Sequence, residues 1–202
     1  MNLLCLDLEG VLVPEIWIAF AEVTGIPFFR RTTRDEPDYG KLMRERIACL
    51  ASHGLKLADI RSVIARIDPL PGAKDFLEEA RRIGEVAILS DTFTQFAGPL
   101  MEKLGRPTLF CNDLVVADDG TVTDFRLRQS DGKRKAVEAF KSLAIRVMAA
   151  GDSFNDLGMI GAADTGALFR TTPAIAAAHP EVPAYETYAD LLAHFRRFAS
   201  AA

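Results

Sequence analysis

The stretch LLCLDLEGVLVPE, residues 3–15, decides the fold, because an apolar run ends there on two acids. Five of the six residues from 3 to 8 are apolar and the sixth is Asp7; Glu9 follows two positions later, and Gly10 then breaks the run. An apolar run with no polar face is typical of a strand that is buried on both sides, as in a parallel sheet. Two carboxylates at the end of such a strand indicate a chemical role.

Three other segments extend this pattern. EVAILSD (residues 85–91) and RVMAAGDS (residues 146–153) are apolar runs that also end in a carboxylate, and TGALF (residues 165–169) is a weaker fourth strand. The segments between them carry helical periodicity. The sequence therefore predicts an α/β fold with a Rossmann-like parallel sheet as its core.

The first two predicted strands are separated by far more chain than a single crossover helix needs. Within this gap, residues 14–25, 39–54 and 56–67 show helical spacing, and DPLPG (residues 68–72) signals a turn back to the sheet. We therefore predict a small helical cap at residues 14–70, inserted after the first strand. The catalytic core would comprise residues 1–13 and 71–202.

The second half of the chain gives clear local signals. Residues 94–104 are expected to form a helix that ends at Gly105, and residues 133–143 another. Between them, residues 114–127 alternate around Asp119–Gly120, which is a strong signal for a β-hairpin.

Composition narrows the class of protein. The 202 residues carry a formal net charge of −4 with scattered basic residues, which favours small-molecule ligands over nucleic acid. The first apolar run meets Asp7 too early for a signal peptide or a membrane span, so a cytoplasmic protein is expected. Cys5, Cys49 and Cys111 form no CxxC pair, which argues against a zinc cluster and a disulfide framework, and favours buried apolar roles.

The predicted strand ends concentrate the chemistry. In an open parallel sheet, ligands bind outside the carboxyl ends of the strands. The residues that three strands bring to this edge are Asp7, Glu9, Ser90, Asp91, Thr92, Asp152, Asn155 and Asp156. Several carboxylates at one place repel each other unless a cation lies among them, and hard oxygen ligands without His or Cys favour Mg²⁺.

A phosphoryl group fits the remaining side chains. The sequence has neither GxxxxGK[ST] nor a GxGxxG after a strand, but Ser90 offers a hydroxyl and DGKRK (residues 131–135) offers a lysine at a helix start. A hydroxyl, a lysine and a metal bind a phosphoryl group and neutralise its charge during transfer. Asp7 would then be the nucleophile. Arg134 and Lys135 compete with Lys133 for the role of the lysine.

These motifs, taken in order, resemble the haloacid dehalogenase superfamily of aspartate-based phosphohydrolases. DLEGV (residues 7–11) stands for the usual DxDx[TV], followed by Ser90, Lys133 and GDSFND (residues 151–156), with the predicted cap in the family's first cap position. The resemblance implies Mg²⁺ held by Asp7, the backbone carbonyl of Glu9, Asp152 and Asp156. It also implies phosphoryl binding by Ser90 and Lys133, supported by Asn155.

Within the superfamily, the chain resembles the phosphoserine phosphatases. The resemblance implies that Glu15 meets a substrate amino group, and that Tyr39 and Arg46 are the aromatic and carboxylate-binding residues of the cap. Glu9 in place of the second Asp is shared with a bacterial group that is both phosphoserine phosphatase and phosphoserine:homoserine phosphotransferase. Phosphoserine is therefore the expected substrate and homoserine an expected second acceptor; a homodimer is left open.

Simpler interpretations and other functions stand beside these. Ser90, Asp91, Thr92 and Asp156 are residue types that cap helices, and for Arg46 in MRERI an ion pair on the helix surface is the simpler interpretation. The competing functions are a phosphatase for another small phosphate ester and a non-catalytic module that binds phosphoryl groups.

Overall fold

The computed structural model describes residues 1–33, 35–36 and 38–201. In these residues one sheet of seven strands has the order β4-β3-β2-β1-β5-β6-β7. The strands are β1 (Asn2–Leu6), β2 (Glu85–Phe93), β3 (Thr108–Val116), β4 (Val122–Arg126), β5 (Arg146–Gly151), β6 (Thr165–Phe169) and β7 (Ala184–Tyr185). All neighbouring pairs are parallel except β3–β4, which is antiparallel. The predicted α/β class with a parallel sheet core is confirmed.

Helices cover both faces of this sheet. They are α1 (Ile16–Thr24), α2 (Tyr39–Ser52), α3 (Leu57–Ile64), α4 (Ala73–Arg81), α5 (Thr94–Lys103), α6 (Gly132–Ser142), α7 (Leu157–Ala162), α8 (Pro173–Ala178) and α9 (Tyr188–Ser200). Short 3₁₀ turns form at Pro27–Arg30 and Phe154–Asp156. No helix among the described residues is both long and apolar enough to cross a membrane.

The apolar run of β1 is explained by its central position between β2 and β5. Leu4 and Leu6 pack into the larger hydrophobic core, whereas Leu3 and Cys5 pack into a second core on the other face of the sheet. Because alternate side chains of a strand point to opposite faces, both faces of β1 must be apolar. The strand ends at Leu6, so Asp7 lies at its carboxyl end.

Two parts of the sheet differ from the sequence prediction. The predicted hairpin exists, but its first strand begins at Thr108 rather than at residue 114, and its first half pairs in parallel with β2. β3 thus pairs with a parallel neighbour, β2, and with an antiparallel neighbour, β4. The alternation of apolar and polar residues around the hairpin turn cannot predict the parallel pairing. The two-residue strand β7 was not predicted, since it is too short for any periodicity.

The helical segment, defined here as α1 to α3 with the 3₁₀ turn Pro27–Arg30, lies between β1 and α4. Its entry and exit are adjacent, because the backbone N–H of Leu70 donates to the carbonyl of Leu12 at 2.9 Å. Gly25, with φ of 69°, ends α1 in the left-handed conformation predicted for a stop glycine. The division into a core and a cap at residues 14–70 stays a prediction.

The three cysteines do not share one environment. Cys5 and Cys111 are buried, as predicted, whereas Cys49 on α2 is only half-buried. Burial raises the pKa of the Cys5 thiol to about 12, which makes it unreactive at neutral pH. Cys49 is less enclosed than predicted but still packs against the larger hydrophobic core.

Candidate active site

A cavity of about 100 Å³ opens where the carboxyl ends of β1, β2 and β5 meet the helical segment. Eleven of the twelve predicted site residues line it: Asp7, Glu9, Glu15, Tyr39, Arg46, Ser90, Asp91, Thr92, Lys133, Asp152 and Asn155. The twelfth, Asp156, is fully buried behind the wall of the cavity. The topology thus brings together residues from the two ends of the chain that the sequence analysis selected separately.

Three buried carboxylates form the floor of the cavity. One oxygen from each of Asp7, Asp152 and Asp156 lies within 4.8 Å of the others. Lys133 is the cation beside them: its Nζ is 2.9 Å from Asp7 Oδ1 and 2.7 Å from Asp156 Oδ1. Three acids facing one lysine leave a deficit of positive charge, and the donors are all hard oxygens. The cluster therefore fits a small divalent cation.

The charges of the cluster shift its titration. Burial and the neighbouring Asp156 carboxylate raise the pKa of Asp7 well above its usual range, against the opposing effect of Lys133. The same two causes raise the pKa of Asp152 to about 6. Burial alone would lower the pKa of Lys133, but the carboxylates of Asp156 and Asp7 raise it well above normal, so this lysine is charged.

Asp156 shapes the loop after β5 in addition to binding Lys133. Its Oδ2 accepts hydrogen bonds from the backbone N–H groups of Asp152 and Ser153, at 3.0 and 3.1 Å. Together with Ser153, Asp156 thereby closes a capping box around the 3₁₀ turn Phe154–Asp156. The simpler interpretation, in which Asp156 caps the helix that follows, is wrong, because the Asp156 side chain makes no capping hydrogen bond at the start of α7.

Gly10 is required by the closeness of the two loops. It has φ of +76°, and a Cβ at this position would lie 2.6 Å from the carboxylate of Asp152. Any side chain would therefore both strain the backbone and displace this acid. The glycine that ends the opening apolar run allows the β1 and β5 loops to converge.

Glu9 lies on the side of the cavity that faces the helical segment. Its Oε2 accepts a hydrogen bond from the backbone N–H of Ile16 at 2.8 Å, at the start of α1. Burial and the nearby Glu15 carboxylate raise the pKa of Glu9 to about 8. A carboxyl that is protonated at neutral pH and loses its proton just above it is suited to general acid and base chemistry.

The structure separates Lys133 from its two competitors. Lys133 is 6% exposed and points into the carboxylate cluster. Arg134 pairs with Asp131 and Glu138 on the surface, and Lys135 bonds Gln129 and Ser130. Lys133 alone of these three residues lines the cavity.

The end of β2 is organised around Ser90 and Asp91. The backbone N–H of Thr92 donates to Ser90 Oγ at 3.2 Å, which leaves the Ser90 hydroxyl proton for another acceptor. Tyr39 of α2 donates its hydroxyl to the carbonyl of Asp91 at 2.7 Å. Asn155 Nδ2 donates to the Asp91 carboxylate at 3.0 Å rather than to Lys133. Asp91 thus joins β2 to the helical segment and to the β5 loop.

Arg46 does not form the helix-surface ion pair that was its simpler interpretation. Its side chain is buried, Nη2 donates to the carbonyl of Arg31 at 2.6 Å, and its guanidinium carbon lies 4.6 Å from the Trp17 ring centroid. Arg46 Nε and Thr92 Oγ1 are the buried side-chain polar atoms that lack a partner within the described ranges. Both residues line the cavity, so each unsatisfied donor belongs to a side chain of the cavity wall.

Sequence reasoning missed several residues of the cavity wall. Thr32, Thr33, Leu42 and Ser153 line it together with Trp17. Ser153 lies inside the GDSFND motif and could have been selected from it. Thr32 and Thr33 lie in a loop that no local pattern distinguishes. From the sequence, Trp17 is expected mainly to pack, although it is close enough to the cap entry to line a substrate site.

The sequence of this chain is similar to those of known proteins. The sequence model of the haloacid dehalogenase-like hydrolases matches residues 1–164. The chain is 52% identical to phosphoserine phosphatase ThrH of Pseudomonas aeruginosa over 99% of this chain and 98% of that protein. It is also 52% identical to a phosphoserine phosphatase of Pseudomonas syringae pv. tomato over 96% of this chain and 82% of that protein.

Solved structures show the same fold. A phospho-aspartyl intermediate analogue of phosphoserine phosphatase superposes with a TM-score of 0.77 at 23% identity, covering 96% of this chain and 98% of that one. A phosphoserine phosphatase in apo form gives a TM-score of 0.71 at 26% identity, with 85% and 88% coverage.

Proposed function

Because this chain belongs to the haloacid dehalogenase-like hydrolases, we propose that it is a Mg²⁺-dependent phosphoserine phosphatase that forms a phosphoaspartate on Asp7. The observation that carries the proposal is the cavity itself: buried acids and Lys133 lie at its wall, and so does Arg46, whose Nε lacks a partner among the described residues. A phosphate monoester that also carries a carboxylate complements both ends. The names of the two relatives that are 52% identical support the same substrate.

The first step transfers the phosphoryl group to the protein. An Asp7 carboxylate oxygen attacks phosphorus, the bond between phosphorus and the serine oxygen breaks, and the Glu9 carboxyl donates its proton to that oxygen. Serine leaves as a neutral alcohol and Asp7 carries the phosphoryl group. Covalent catalysis divides one difficult displacement into two easier ones.

The second step returns the protein to its starting state. The Glu9 carboxylate accepts a proton from water as the water oxygen attacks phosphorus, and the bond between phosphorus and Asp7 breaks. Inorganic phosphate leaves with Asp7 free and Glu9 protonated again. A raised pKa at Glu9 suits both halves of the cycle, since the same group must give and then take one proton.

Mg²⁺ would be held by Asp7, Asp152, Asp156 and the backbone carbonyl of Glu9. When bound, it supplies positive charge that offsets the carboxylates and the phosphoryl oxygens. Ser90, Thr92 and Lys133 would bind the phosphoryl oxygens, and Asn155 would hold Asp91 in place. Glu15 would meet the substrate ammonium and Arg46 its carboxylate, while Tyr39 fixes the helical segment against β2.

The experiment is a comparison of kcat/KM across phosphate monoesters with and without Mg²⁺. We expect phosphoserine to rank first, turnover to disappear in EDTA, and Asp7→Asn to fold and bind inorganic phosphate without turnover. A higher rank for an unrelated sugar phosphate would contradict the substrate. A parent protein without metal-dependent turnover would instead favour the non-catalytic module.

We also propose that homoserine can replace water as the acceptor. The second carboxyl of the usual motif is Glu9 here, whose extra methylene changes where an acceptor hydroxyl must lie. Turnover of phosphoserine with added homoserine, followed through both inorganic phosphate and homoserine phosphate, measures the partition. Glu9→Asp should change the ratio of homoserine phosphate to inorganic phosphate. An unchanged ratio would show that Glu9 does not influence which acceptor is used.

A further inference from the structure

The guanidinium of Arg46 is a buried cation whose charge no carboxylate of the described residues pairs with directly. Its polar contacts are the Arg31 carbonyl at Nη2 and the Met43 sulfur, 3.7 Å from Nη1; Nε has none. Burial lowers the pKa of Arg46 to about 10, so it is still charged at neutral pH. A buried, charged and partly unsatisfied group at a cavity wall is suited to an anionic ligand.

Trp17 is the aromatic residue that contacts this guanidinium. The guanidinium carbon lies 4.6 Å from the centroid of the Trp17 ring, within the range of a cation–π interaction. Tryptophan is the aromatic residue that binds a cation most strongly in this way. The contact restricts the position of the guanidinium, while its Nε–H group still lacks a hydrogen-bond partner among the described residues.

Trp17 itself is held firmly. It is 7% exposed and stacks on Phe29, with ring centroids 5.6 Å apart and an interplanar angle of 24°. Edge contacts to Phe20 and to Phe96 of α5 complete its surroundings. The ring is thereby fixed both to the helical segment and to the sheet domain, so it can fix the arginine in turn.

We propose that Trp17 is a positioning residue that holds the Arg46 guanidinium where it binds the substrate carboxylate. Trp17 would thereby determine specificity for phosphate monoesters that carry an α-carboxylate. This inference rests on the proposed function, and deepens it by naming the residue that sets the orientation of Arg46. Trp17 takes no part in bond making or breaking.

The first test compares two substrates that differ only in the carboxylate, phosphoserine and phosphoethanolamine. In Trp17→Leu we expect the KM for phosphoserine to rise about tenfold, with kcat nearly unchanged. The kcat/KM for phosphoethanolamine should stay within about twofold of the parent, because this substrate has no group for Arg46. Trp17→Phe retains an aromatic face and should recover part of the loss.

A purely structural role of Trp17 predicts a different result. It would lower kcat/KM for both substrates in parallel, and that outcome would overturn the inference. An Arg46→Ala background gives a second comparison: there, Trp17→Leu should have no further effect on phosphoserine, and a second tenfold loss would also contradict the proposal. If the parent does not prefer phosphoserine to phosphoethanolamine, the proposed function fails, and the inference fails with it.

A second measurement needs no change at Trp17. The chain contains one tryptophan, so the tryptophan emission, excited where tyrosine does not absorb, reports on this ring alone. In Asp7→Asn with Mg²⁺, phosphoserine should shift or quench the emission in a saturable way, whereas phosphoethanolamine at equal occupancy should not. Identical responses to the two compounds would show that Trp17 does not sense the carboxylate, and would overturn the inference even if Trp17→Leu fails to fold.

Discussion

At the scale of single residues, the most informative group is the hydroxyl of Thr92. It is buried, belongs to a residue of the cavity wall and lacks a hydrogen-bond partner among the described residues. Leaving such a donor unsatisfied costs about 1–3 kcal/mol in the free protein. Such a cost is what we expect at a position where the hydroxyl binds the phosphoryl group, as proposed above.

We therefore expect Thr92→Val to increase the free energy of unfolding by about 1 kcal/mol while it lowers kcat/KM about tenfold. The matched control, Thr92→Ser, keeps the hydroxyl and should retain most of the activity. Urea unfolding and steady-state kinetics on the three proteins check both halves. A valine variant as active as the parent would remove Thr92 from the binding site.

Gly10 offers a second prediction at this scale, because Gly25 is a matched control. Both have positive φ, but a Cβ at Gly10 meets the Asp152 carboxylate whereas one at Gly25 meets nothing within 4 Å. Each alanine substitution should cost about 1–2 kcal/mol through backbone strain. Only Gly10→Ala should also weaken Mg²⁺ binding, measured by calorimetry; equal Mg²⁺ affinity in the two variants would contradict the geometry.

At the scale of elements, α5 anchors the end of the helical segment through one lysine. Lys103 Nζ donates to the carbonyls of Ala65 and Ile67, at 2.9 and 2.7 Å, and lies 3.0 Å from an oxygen of Asp68. One side chain thus satisfies the last carbonyls after α3. Its loss should loosen the point at which the chain returns to the sheet.

Lys103→Met should lower the free energy of unfolding by about 1.5–3 kcal/mol and increase proteolytic cleavage near residues 65–70. Arg106→Gln is the control, since Arg106 forms an exposed pair with Glu102 that is worth less than about 1 kcal/mol. Urea unfolding and limited proteolysis of both variants make the comparison. Similar effects in the two would mean that the three acceptors of Lys103 contribute nothing specific.

At the scale of the whole molecule, α9 packs against the sheet edge through His194. Its ring nitrogens lie 3.0 Å from Thr165 Oγ1 of β6 and 3.2 Å from the Tyr185 hydroxyl of β7. Burial lowers the pKa of His194 below 6.5, and the charge of Arg197 lowers it further. The unfolded chain therefore binds the proton more tightly than the folded chain does.

This sign gives a pH dependence of stability. The contribution of neutral His194 to the free energy of unfolding is fully present above about pH 6.5. It is lost as the pH falls through the pKa of His194 in the folded protein, which is lower than in the unfolded chain. His194→Gln keeps polar contacts but cannot titrate, so on going from pH 7.5 to 5.5 its unfolding free energy should rise more, or fall less, than that of the parent. The buried carboxyls with raised pKa values act in the opposite direction to His194 and are the same in both proteins. Urea unfolding without metal at both pH values measures the two changes; equal changes in the two proteins would contradict the prediction.

The fold and most site residues could be predicted because their signals are local. Asp7, Ser90, Lys133 and Asp152 follow apolar strands or begin a helix, and parallel topology then brings strand ends together without further information. Other features depend on segments that are distant in sequence. They are the contact between Trp17 and Arg46, the unsatisfied hydroxyl of Thr92, and the pairing of β3 with both β2 and β4. No periodicity encodes such contacts, so only the three-dimensional structure reveals them.

The single hydrogen bond between Leu70 and Leu12 has a consequence for how this architecture can diversify. The chain leaves the sheet before α1 and returns to it after α3 at adjacent points. The hydrogen bond between these two points involves backbone atoms only, so it does not depend on the sequence of the segment between them. A transplanted segment of another length and composition would therefore meet the same two anchors. Exchange of this segment as one unit offers a route to new substrates on unchanged phosphoryl chemistry.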